Sequence, residues 1–481
     1  MLPTVSPNLW SVMPAAIESD PVPSLTQRRS IHILGVGGPG MSAIASALVG
    51  MGHAVSGSDV VESAVLERLR SEGVVVYVGH SPDNIGVNVE ALVVSTAIPE
   101  GNPEIIAARA RLLPVVRRTA LLPAIAAERR TIAVTGTHGK TTTSSMLALI
   151  LLGAGLDPSF LIGGELRQLG TNAKWSDGEW FVLEADESDG SGFSIDHEAV
   201  IVTNIEADHL EFHGSFENLY RAFERFVAST SGPVVLCADD PNTARLARGM
   251  KAITYGLSNE ATVRIVGLEG SRSGVDFTVV VGGEELGEVH VPVPGTHNAL
   301  NACGAIALAL QLGVSFDDCV MALATFGGVG RRFEPKGEAN GIVFIDDYAH
   351  LPTEIAAAIS AGHDGDWKRL VVVFQPHRYS RTQTLWQDYA DAFDDADLLV
   401  LTGIYAAGEA PRAGVTGQLI VDAVAAAHPE QAVQYVAERE SLAAVLASEL
   451  RSGDLCLTLG AGDITTLADE ILVLLNQGSA L

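Results

Sequence analysis

The sequence predicts an α/β protein built from three domains. Short apolar runs of the kind that form buried parallel strands alternate with alanine-rich helical patterns, and glycine-rich turns connect them. The chain has 481 residues, of which 49 are glycine, and this length fits about three domains. These observations favour parallel sheets whose ligands lie at the carboxyl ends of the strands.

The composition disfavours several functional classes. Lys and Arg number 30 against 58 Asp and Glu, and the net charge of -28 disfavours nucleic acid and anionic membranes as partners. The 4 cysteines have no paired spacing, as in reduced proteins of the cytoplasm. No apolar run reaches the ~20 residues that span a bilayer. We therefore expect a cytoplasmic protein that binds small molecules and has no membrane insertion.

The first domain is predicted over 30–119, after a disordered leader over 1–29 that lacks a signal-peptide pattern. A strand, a glycine loop, a helix and a second strand ending at Asp59 form the βαβ unit of a Rossmann-like domain. The loop matches G-x-G-x-x-G through Gly35, Gly37 and Gly40. Proline and arginine near 113–119 predict an exit linker. This pattern alone favours a nicotinamide enzyme, in which Asp59 would bind a ribose hydroxyl.

The central domain is predicted over 120–330 and carries the strongest motif in the chain. An apolar strand runs into a glycine-rich turn that opens a helix, and backbone N–H groups in such a turn bind phosphate oxygens. Lys140 would reach the outer phosphates of ATP, and the Thr141 hydroxyl would bind Mg²⁺. The alternative is a lysine-capped helix start without a ligand. The residues of this P-loop predicted to bind ATP are Gly136, Thr137, His138, Gly139, Lys140, Thr141 and Thr142.

Two later strands of the central domain end in polar residues. Glu184 ends one strand and His209 follows the next, and a carboxylate with a neutral imidazole can hold a second Mg²⁺. A hydrogen-bonded surface histidine is the alternative for His209. Asp186, Glu187 and Asp189 are each interpreted as helix caps or solvated loop charges. Short alternating runs over 252–293 predict a small β-rich subregion.

The third domain is predicted over 331–481, after a glycine-rich joint. Four apolar strands alternate there with alanine-rich helices, which predicts a second Rossmann-like, doubly wound sheet. Arg332 directly follows the joint, and an arginine there could reach a phosphoryl group when domains close. An exposed linker charge is the alternative for this residue. A strand-end loop with His377, Arg378 and Arg381 favours binding of a carboxylate or a phosphate.

Together these motifs resemble those of the Mur ligases, the ATP-dependent amide-forming enzymes of bacterial cell-wall synthesis. The resemblance covers nearly the whole chain after residue 30, and several motifs in a fixed order are more specific than any single one. The motifs are Gly-Thr-His-Gly-Lys-Thr-Thr-Thr at 136–143, Glu-Ala-Asp-Glu-Ser-Asp at 184–189, Asn-Ile-Glu-Ala-Asp-His at 204–209, His-Asn-Ala-Leu-Asn at 297–301, Arg-Arg-Phe at 331–333, Asp-Asp-Tyr-Ala-His at 346–350 and Gly-Ala-Gly-Asp at 460–463.

The resemblance implies UDP-N-acetylmuramate and L-alanine as substrates, with ATP and two Mg²⁺ sites that Mn²⁺ could also fill. The first domain would bind UDP through Gly35, Gly37, Gly38, Gly40, Met41, Ser42 and Asp59. The ATP site of the P-loop would be completed by Asn298, Asn301, Arg332 and Asp347. The amino acid would be bound by His350, His377, Arg378 and Arg381. Whether the protein is a monomer or a homodimer stays open.

The resemblance also implies a catalytic set and a metal set. The catalytic residues would be Lys140, Glu184, His209, Arg332 and Asp347, and the metal ligands Thr141, Glu184 and His209. One position departs from the resemblance, because Leu351 stands where a second histidine is usual. Three alternatives stay open: a Mur-type ligase that adds a different residue or recycles murein peptide, a nicotinamide oxidoreductase, and a non-catalytic cell-wall scaffold.

Overall fold

The structure is a computed structural model that describes residues 19–95, 97–365 and 367–478. The described residues form three sheets and divide into two compact units between Arg129 and Arg130. One sheet belongs to the first unit and two belong to the second. The α/β class predicted from the sequence is therefore confirmed. None of the helices in the described ranges combines the length and hydropathy that a bilayer crossing requires.

The first unit contains a five-stranded parallel sheet. Its elements are β1 (Ser30–Leu34), α1 (Pro39–Gly50), β2 (Ala54–Asp59), α2 (Ala64–Ser71), β3 (Val75–Val78), β4 (Ala91–Val94), α3 (Pro103–Ala110), β5 (Val115–Arg117) and α4 (Arg118–Ala126). The strand order β3-β2-β1-β4-β5 reverses direction at β1, as in Rossmann-like sheets. Every residue of β4 is buried, because its apolar side chains are covered on both faces.

The exit linker predicted near 113–119 is wrong, because the chain forms regular structure there. Residues Val115–Arg117 form β5, which pairs with β4 in parallel, and α4 follows directly. Val116 is fully buried, so its apolar contacts outweigh the proline and arginine content that suggested a linker. The first compact unit accordingly extends to Arg129, beyond the boundary predicted at residue 119.

Residues 1–18 of the leader predicted over 1–29 lie outside the described residues. Residues 19–29 contact the first sheet. The carboxylate of Asp20 accepts a hydrogen bond of 2.8 Å from the backbone N–H of Val115 in β5. The side chain of Leu25 is buried. These contacts hold the segment that precedes β1 against the sheet.

The second unit begins with a ten-stranded sheet. Its elements are β6 (Arg130–Thr135), α5 (Lys140–Gly153), β7 (Ser159–Leu166), β8 (Thr171–Lys174), β9 (Trp180–Glu184), β10 (Ala199–Val202), α6 (Leu210–His213), α7 (Phe216–Ala228), β11 (Val234–Cys237), α8 (Pro241–Ala247), β12 (Ile253–Gly256), β13 (Val263–Ser271), β14 (Gly274–Val281), β15 (Glu284–Val291), α9 (Thr296–Gln311) and α10 (Phe316–Leu323).

The strand order of this sheet is β15-β14-β13-β12-β11-β10-β6-β9-β7-β8. Its middle strands are parallel, and β13, β14 and β15 form an antiparallel extension at one end. The β-rich subregion predicted over 252–293 is confirmed by this extension. The apolar helices α5 and α9 cover the sheet and bury residues such as Met146 and Ile306.

The C-terminal sheet of the second unit has six strands in the order β16-β17-β21-β18-β19-β20. Its elements are β16 (Glu334–Ala339), β17 (Ile342–Asp347), α11 (Pro352–His363), β18 (Arg369–Phe374), α12 (Tyr379–Leu385), β19 (Leu398–Thr402), α13 (Gln418–Ala427), β20 (Val433–Val436), α14 (Leu442–Glu449), β21 (Asp454–Leu459) and α15 (Leu467–Gly478). All strands except β16 run parallel, which confirms the doubly wound sheet.

The core of the C-terminal sheet supports a stability prediction. Phe374 in β18 is fully buried, and its ring lies 5.5 Å from that of Tyr389 and 5.3 Å from that of Phe393. We expect Phe374→Ala to leave a cavity and to lower the free energy of unfolding by about 3–5 kcal/mol, measured by urea denaturation. The control Val473→Ala changes a side chain that is 54% exposed, and should cost less than about 0.5 kcal/mol. Equal losses would contradict the assignment of this core.

Candidate active site

The phosphate loop lies between β6 and α5, at the carboxyl end of its strand. Gly136 has φ of +132° and packs against the Thr203 hydroxyl, so that no side chain fits there. Gly139 has φ of +77°, and a Cβ atom on it would lie 2.5 Å from Oδ1 of Asn301 in α9. Glycine is therefore required at both positions, because the loop meets the end of β10 and the start of α9.

The ammonium group of Lys140 points back into this loop. Its Nζ donates to the carbonyl oxygens of Gly136 at 2.7 Å and Thr137 at 3.1 Å, and to Oε2 of Glu187 at 2.9 Å. Burial lowers the pKa of Lys140, but the carboxylates of Glu187, Asp186 and Glu184 raise it above the ordinary value. The lysine is therefore charged and oriented before any nucleotide binds.

The interpretation of Glu187 as a cap or a solvated charge is wrong. Glu187 is only 1% exposed, and both of its carboxylate oxygens accept hydrogen bonds from Lys140. Burial raises the pKa of Glu187, and the charge of Lys140 opposes that rise. The signal available in the sequence was its position, three residues after Glu184 in the loop that follows β9, but spacing alone does not identify the partner.

Glu184 and Thr141 lie side by side next to the lysine. The Thr141 hydroxyl donates to Oε1 of Glu184 at 3.1 Å, and the backbone N–H of Gly163 donates to Oε2 at 2.7 Å. Burial raises the pKa of Glu184, whereas Lys140 lowers it. A hydroxyl and a carboxylate are hard oxygen donors that fit Mg²⁺. No group of three His, Cys, Asp or Glu able to hold a metal occurs in the described ranges. Mg²⁺ usually takes its remaining ligands from water and from the phosphates of a nucleotide.

His209 precedes α6 in a left-handed conformation with φ of +52°. Its Nε2 lies 3.1 Å from Oδ2 of Asp208, and its Nδ1 lies 3.7 Å from Oε1 of Glu211. Burial lowers the pKa of His209, but Glu211 and Asp208 raise it above the ordinary value. A metal binds the neutral imidazole, so Mg²⁺ at this position would compete with the proton that these two carboxylates favour.

A cavity of about 380 Å³ lies between the elements of the central and C-terminal sheets. The predicted residues that line it are His138, Gly139, Thr142, Asn298, Asn301, Arg332 and Asp347. Its lining also includes residues that sequence analysis missed, among them Thr203, Asn204, Glu206, Asp239, Tyr255, His297 and Glu354. The apolar and polar parts of this lining suit a flat base attached to a polar sugar. The structure thus brings most of the predicted ATP residues together.

Asp347, Asn298 and Asn301 also hold the walls of this cavity in place. The carboxylate of Asp347 accepts N–H groups from Phe333 and Ala349, both at 2.7 Å. Burial raises the pKa of Asp347 to about 6, and Arg332 opposes the rise. The amide of Asn298 donates to the carbonyl of Pro294 at 2.7 Å. The Oδ1 atom of Asn301 accepts from the Thr143 hydroxyl at 3.1 Å, which ties α9 to α5.

The predicted basic residues lie just before α12 and in its first turn, and they meet acidic residues of the segment that follows β10. Arg381 donates from Nη2 to Oδ1 of Asp208 at 3.3 Å, and its Nη1 lies 3.2 Å from Nδ1 of His377. Nη1 of Arg378 lies 3.7 Å from Oε1 of Glu211. The loop of the C-terminal domain therefore lies beside the segment that carries His209, which the sequence order does not reveal.

Two histidines of the C-terminal domain are neutral. The ring of His350 lies 5.9 Å from that of His377, which stacks on Tyr405 at 5.7 Å. Burial lowers the pKa of His350 to about 4, and Arg381 lowers it further. Burial, His350 and the two arginines lower the pKa of His377 to about 3. Neutral imidazoles beside guanidinium groups can accept a hydrogen bond from an amine whose carboxylate the arginines bind.

The glycine loop of the first unit is held by the acidic residue that follows it. The backbone N–H of Gly37 donates to Oδ2 of Asp59 at 2.8 Å, and that of Val60 donates to Oδ1 at 2.7 Å. A Cβ atom on Gly37 would lie 2.9 Å from the same carboxylate. Gly35 has φ of +75°, and Met41 and Ser42 are buried in the first turn of α1. The predicted contact of Asp59 with a ribose stays a prediction.

The glycine loop, its lysine and the strand-end carboxylates define a P-loop enzyme assembled from Rossmann-like sheets. Three family profiles match the chain in order: "Mur ligase family, catalytic domain" over 30–130, "Mur ligase middle domain" over 134–309 and "Mur ligase, glutamate ligase domain" over 331–462. The chain belongs to the Mur ligase family, and it is an ATP-dependent amide-forming ligase. The resemblance drawn from the motifs is confirmed, and the nicotinamide alternative is removed.

Relatives and solved structures resemble nearly the whole chain. UDP-N-acetylmuramate–L-alanine ligase of Geobacter sp. (strain M21) is 45% identical over 93% of this chain and 97% of its own. The enzyme of the same name from Agrobacterium fabrum is 44% identical over 91% and 95%. The crystal structure of UDP-N-acetylmuramate-alanine ligase from Thermotoga maritima matches with a TM-score of 0.79 and 31% identity, over 94% and 99%. A murein peptide ligase from Psychrobacter arcticus matches with a TM-score of 0.66 and 25% identity, over 93% and 98%.

The packing of the phosphate loop supports a binding prediction. We expect Gly139→Ala to weaken ATP binding by about tenfold or more, measured by calorimetry, because the new methyl group would collide with Asn301. The matched control is Gly155→Ala, at the end of the same helix. Gly155 has φ of +76° and open space around it, so both variants carry the same backbone strain and only one carries the collision. Equal loss of affinity in both would contradict this account of the loop.

Proposed function

We propose that this chain joins L-alanine to the lactyl carboxylate of UDP-N-acetylmuramate, with hydrolysis of ATP to ADP and phosphate. The observation that carries the proposal is that the basic loop at Arg378 and Arg381 contacts Asp208 and Glu211, beside the phosphate loop of the same unit. The names of the relatives support the choice of substrates. As a consequence, the enzyme would act in peptidoglycan synthesis in the cytoplasm.

The proposed reaction has two steps. An oxygen of the lactyl carboxylate attacks the γ-phosphorus of ATP, and the bond from this phosphorus to the β,γ-bridging oxygen breaks. ADP is released, and the substrate becomes an acyl phosphate. The amine of L-alanine then attacks the acyl carbon and loses a proton, and the C–O bond breaks to release inorganic phosphate. Neither step needs an oxidant or a covalent enzyme intermediate, so positioning and charge stabilisation are the main contributions of the protein.

The residues of the second unit would divide these tasks. Lys140 would exchange Glu187 for the outer phosphates, and Arg332 would stabilise charge on the transferred phosphoryl group. Thr141, Glu184 and His209 would hold Mg²⁺, which when bound offsets phosphate charge. Asn298, Asn301 and Asp347 would surround the adenosine part of ATP, with the remaining residues of the loop on its phosphates.

The two substrates would be bound at the remaining predicted positions. Arg378 and Arg381 would bind the carboxylate of L-alanine, with His350 and His377 facing its amine. The UDP part of the other substrate would lie on the glycine loop of the first unit, on Gly35, Gly37, Gly38, Gly40, Met41, Ser42 and Asp59. A second candidate is a Mur-type ligase that adds a different residue, because Leu351 stands where a second histidine is usual.

Phosphate release separates these candidates. With UDP-N-acetylmuramate and ATP present, we expect L-alanine to give the fastest release of phosphate among single amino acids. Lys140→Ala should lower turnover by about 10²-fold or more, because it removes the charge that would bind the outer phosphates. Lys174→Ala changes an exposed lysine that pairs with Asp157 and should retain turnover. Absence of phosphate release with L-alanine, or full turnover in Lys140→Ala, would refute the proposed function.

The metal requirement provides a separate measurement. We expect chelation of Mg²⁺ to stop phosphate release, and Mn²⁺ to restore part of it. Glu184→Ala should raise the Mg²⁺ concentration for half-maximal rate by about tenfold or more, because it removes a carboxylate ligand. Glu179→Ala alters an exposed carboxylate beside Arg130 and should leave that concentration unchanged. An unaltered Mg²⁺ dependence in Glu184→Ala would show that this carboxylate does not bind the metal.

A further inference from the structure

One carboxylate of the C-terminal domain reaches across to the phosphate loop. Glu354 lies in the first turn of α11, and its Oε1 is 3.1 Å from Nδ1 of His138. Its Oε2 accepts backbone N–H groups from His350 at 2.9 Å and from Leu351 at 3.2 Å. The side chain is 10% exposed. The same group therefore caps its own helix and binds the loop that would cradle ATP.

His138 is enclosed by acidic and polar groups from several elements. Its Nε2 lies 3.2 Å from Oε2 of Glu206, and its backbone N–H donates to Oδ1 of Asn204 at 2.8 Å. The hydroxyl of Thr353 in α11 donates to the same oxygen of Glu206 at 2.8 Å. Burial lowers the pKa of His138, but Glu354 and Glu206 raise it to about 9. At neutral pH the imidazole is therefore a cation between two carboxylates, one from each domain.

Glu354 also lies beside two residues that the proposed reaction needs. Its Oε1 is 3.9 Å from Nη1 of Arg332, and its Oε2 is 3.2 Å from Nδ1 of His350. Arg332 would act on the phosphoryl group, and His350 would face the amine. A side chain that holds both of these groups and the phosphate loop can set their relative positions.

We propose that Glu354 is a positioning residue, which together with His138 fastens the C-terminal domain to the phosphate loop and thereby places Arg332 and His350 for the reaction. The kinetic part of this inference rests on the proposed function. A role limited to capping α11 is the competing explanation. Glu354→Gln separates the two, because the glutamine oxygen can still accept from the helix N–H groups but carries no charge for His138.

The first test follows the ionisation of His138 and does not depend on any reaction. In the full chain labelled with ¹³C-histidine, we expect one imidazole that titrates near pH 9 and is absent from His138→Asn. In Glu354→Gln this titration should move down by at least one pH unit. The other groups around His138, which are Glu206, the Thr353 hydroxyl and the Asn204 amide, are unchanged in this variant. An unmoved titration would overturn the proposed contact, whether or not the ligase assay succeeds.

The second test is a double-mutant cycle on phosphate release. We expect Glu354→Gln and His138→Asn each to lower kcat by at least tenfold, and the double variant to be no slower than the slower single one. ATP binding to Glu354→Gln, measured by calorimetry, should change less than threefold. Glu430→Gln makes the same chemical change at an exposed position and should match the unmodified protein. Effects that multiply in the double variant would overturn the proposal, because independent residues behave in that way.

Discussion

The site depends on a loop that has no room for a side chain at two of its positions. Gly136 contacts the residues that follow β10, and Gly139 contacts Asn301 near the start of α9. The shape of the loop therefore depends on how both of these elements pack against it. That shape directs Lys140 onto backbone carbonyls and the buried carboxylate of Glu187. A buried ammonium without such partners would be costly, and a buried carboxylate equally so. The glycine contacts and the ion pair are therefore mutually dependent.

Parallel sheets explain why the chemistry lies where it does. In the central sheet, Glu184 ends a strand, and the phosphate loop and the segment before His209 each follow one. In the C-terminal sheet, Asp347 ends a strand and the basic loop follows another. Ligands of such sheets bind at the carboxyl ends of the strands. In the second unit the two sets of strand ends meet, through Arg381 with Asp208 and Glu354 with His138. A nucleotide and an amine acceptor can thus be brought to one place.

Much of the fold and part of the site follow from local patterns. The phosphate loop, the doubly wound C-terminal sheet and the β-rich extension have periodicities and turns that act over a few residues. Elements that lack such a signal were missed. The short strand Val115–Arg117 follows Pro114 and contains an arginine, and the exposed edge strand Glu334–Ala339 contains proline and charged residues. Pairing with neighbouring strands is what makes both of them strands. Their formation is a tertiary effect.

The α/β class, the family and the lysine of the phosphate loop follow from the order of residues, because they depend on patterns within short segments and on the order of motifs along the chain. The pairing of charges, in contrast, depends on how the chain packs in three dimensions. Glu187 pairs with Lys140, and Glu354 with His138, although 47 and 216 residues separate them. A buried charge without a partner raises the free energy of the folded state, so each buried charge in this site needs one. Three-dimensional packing determines which residue that partner is, and spacing along the chain does not encode it.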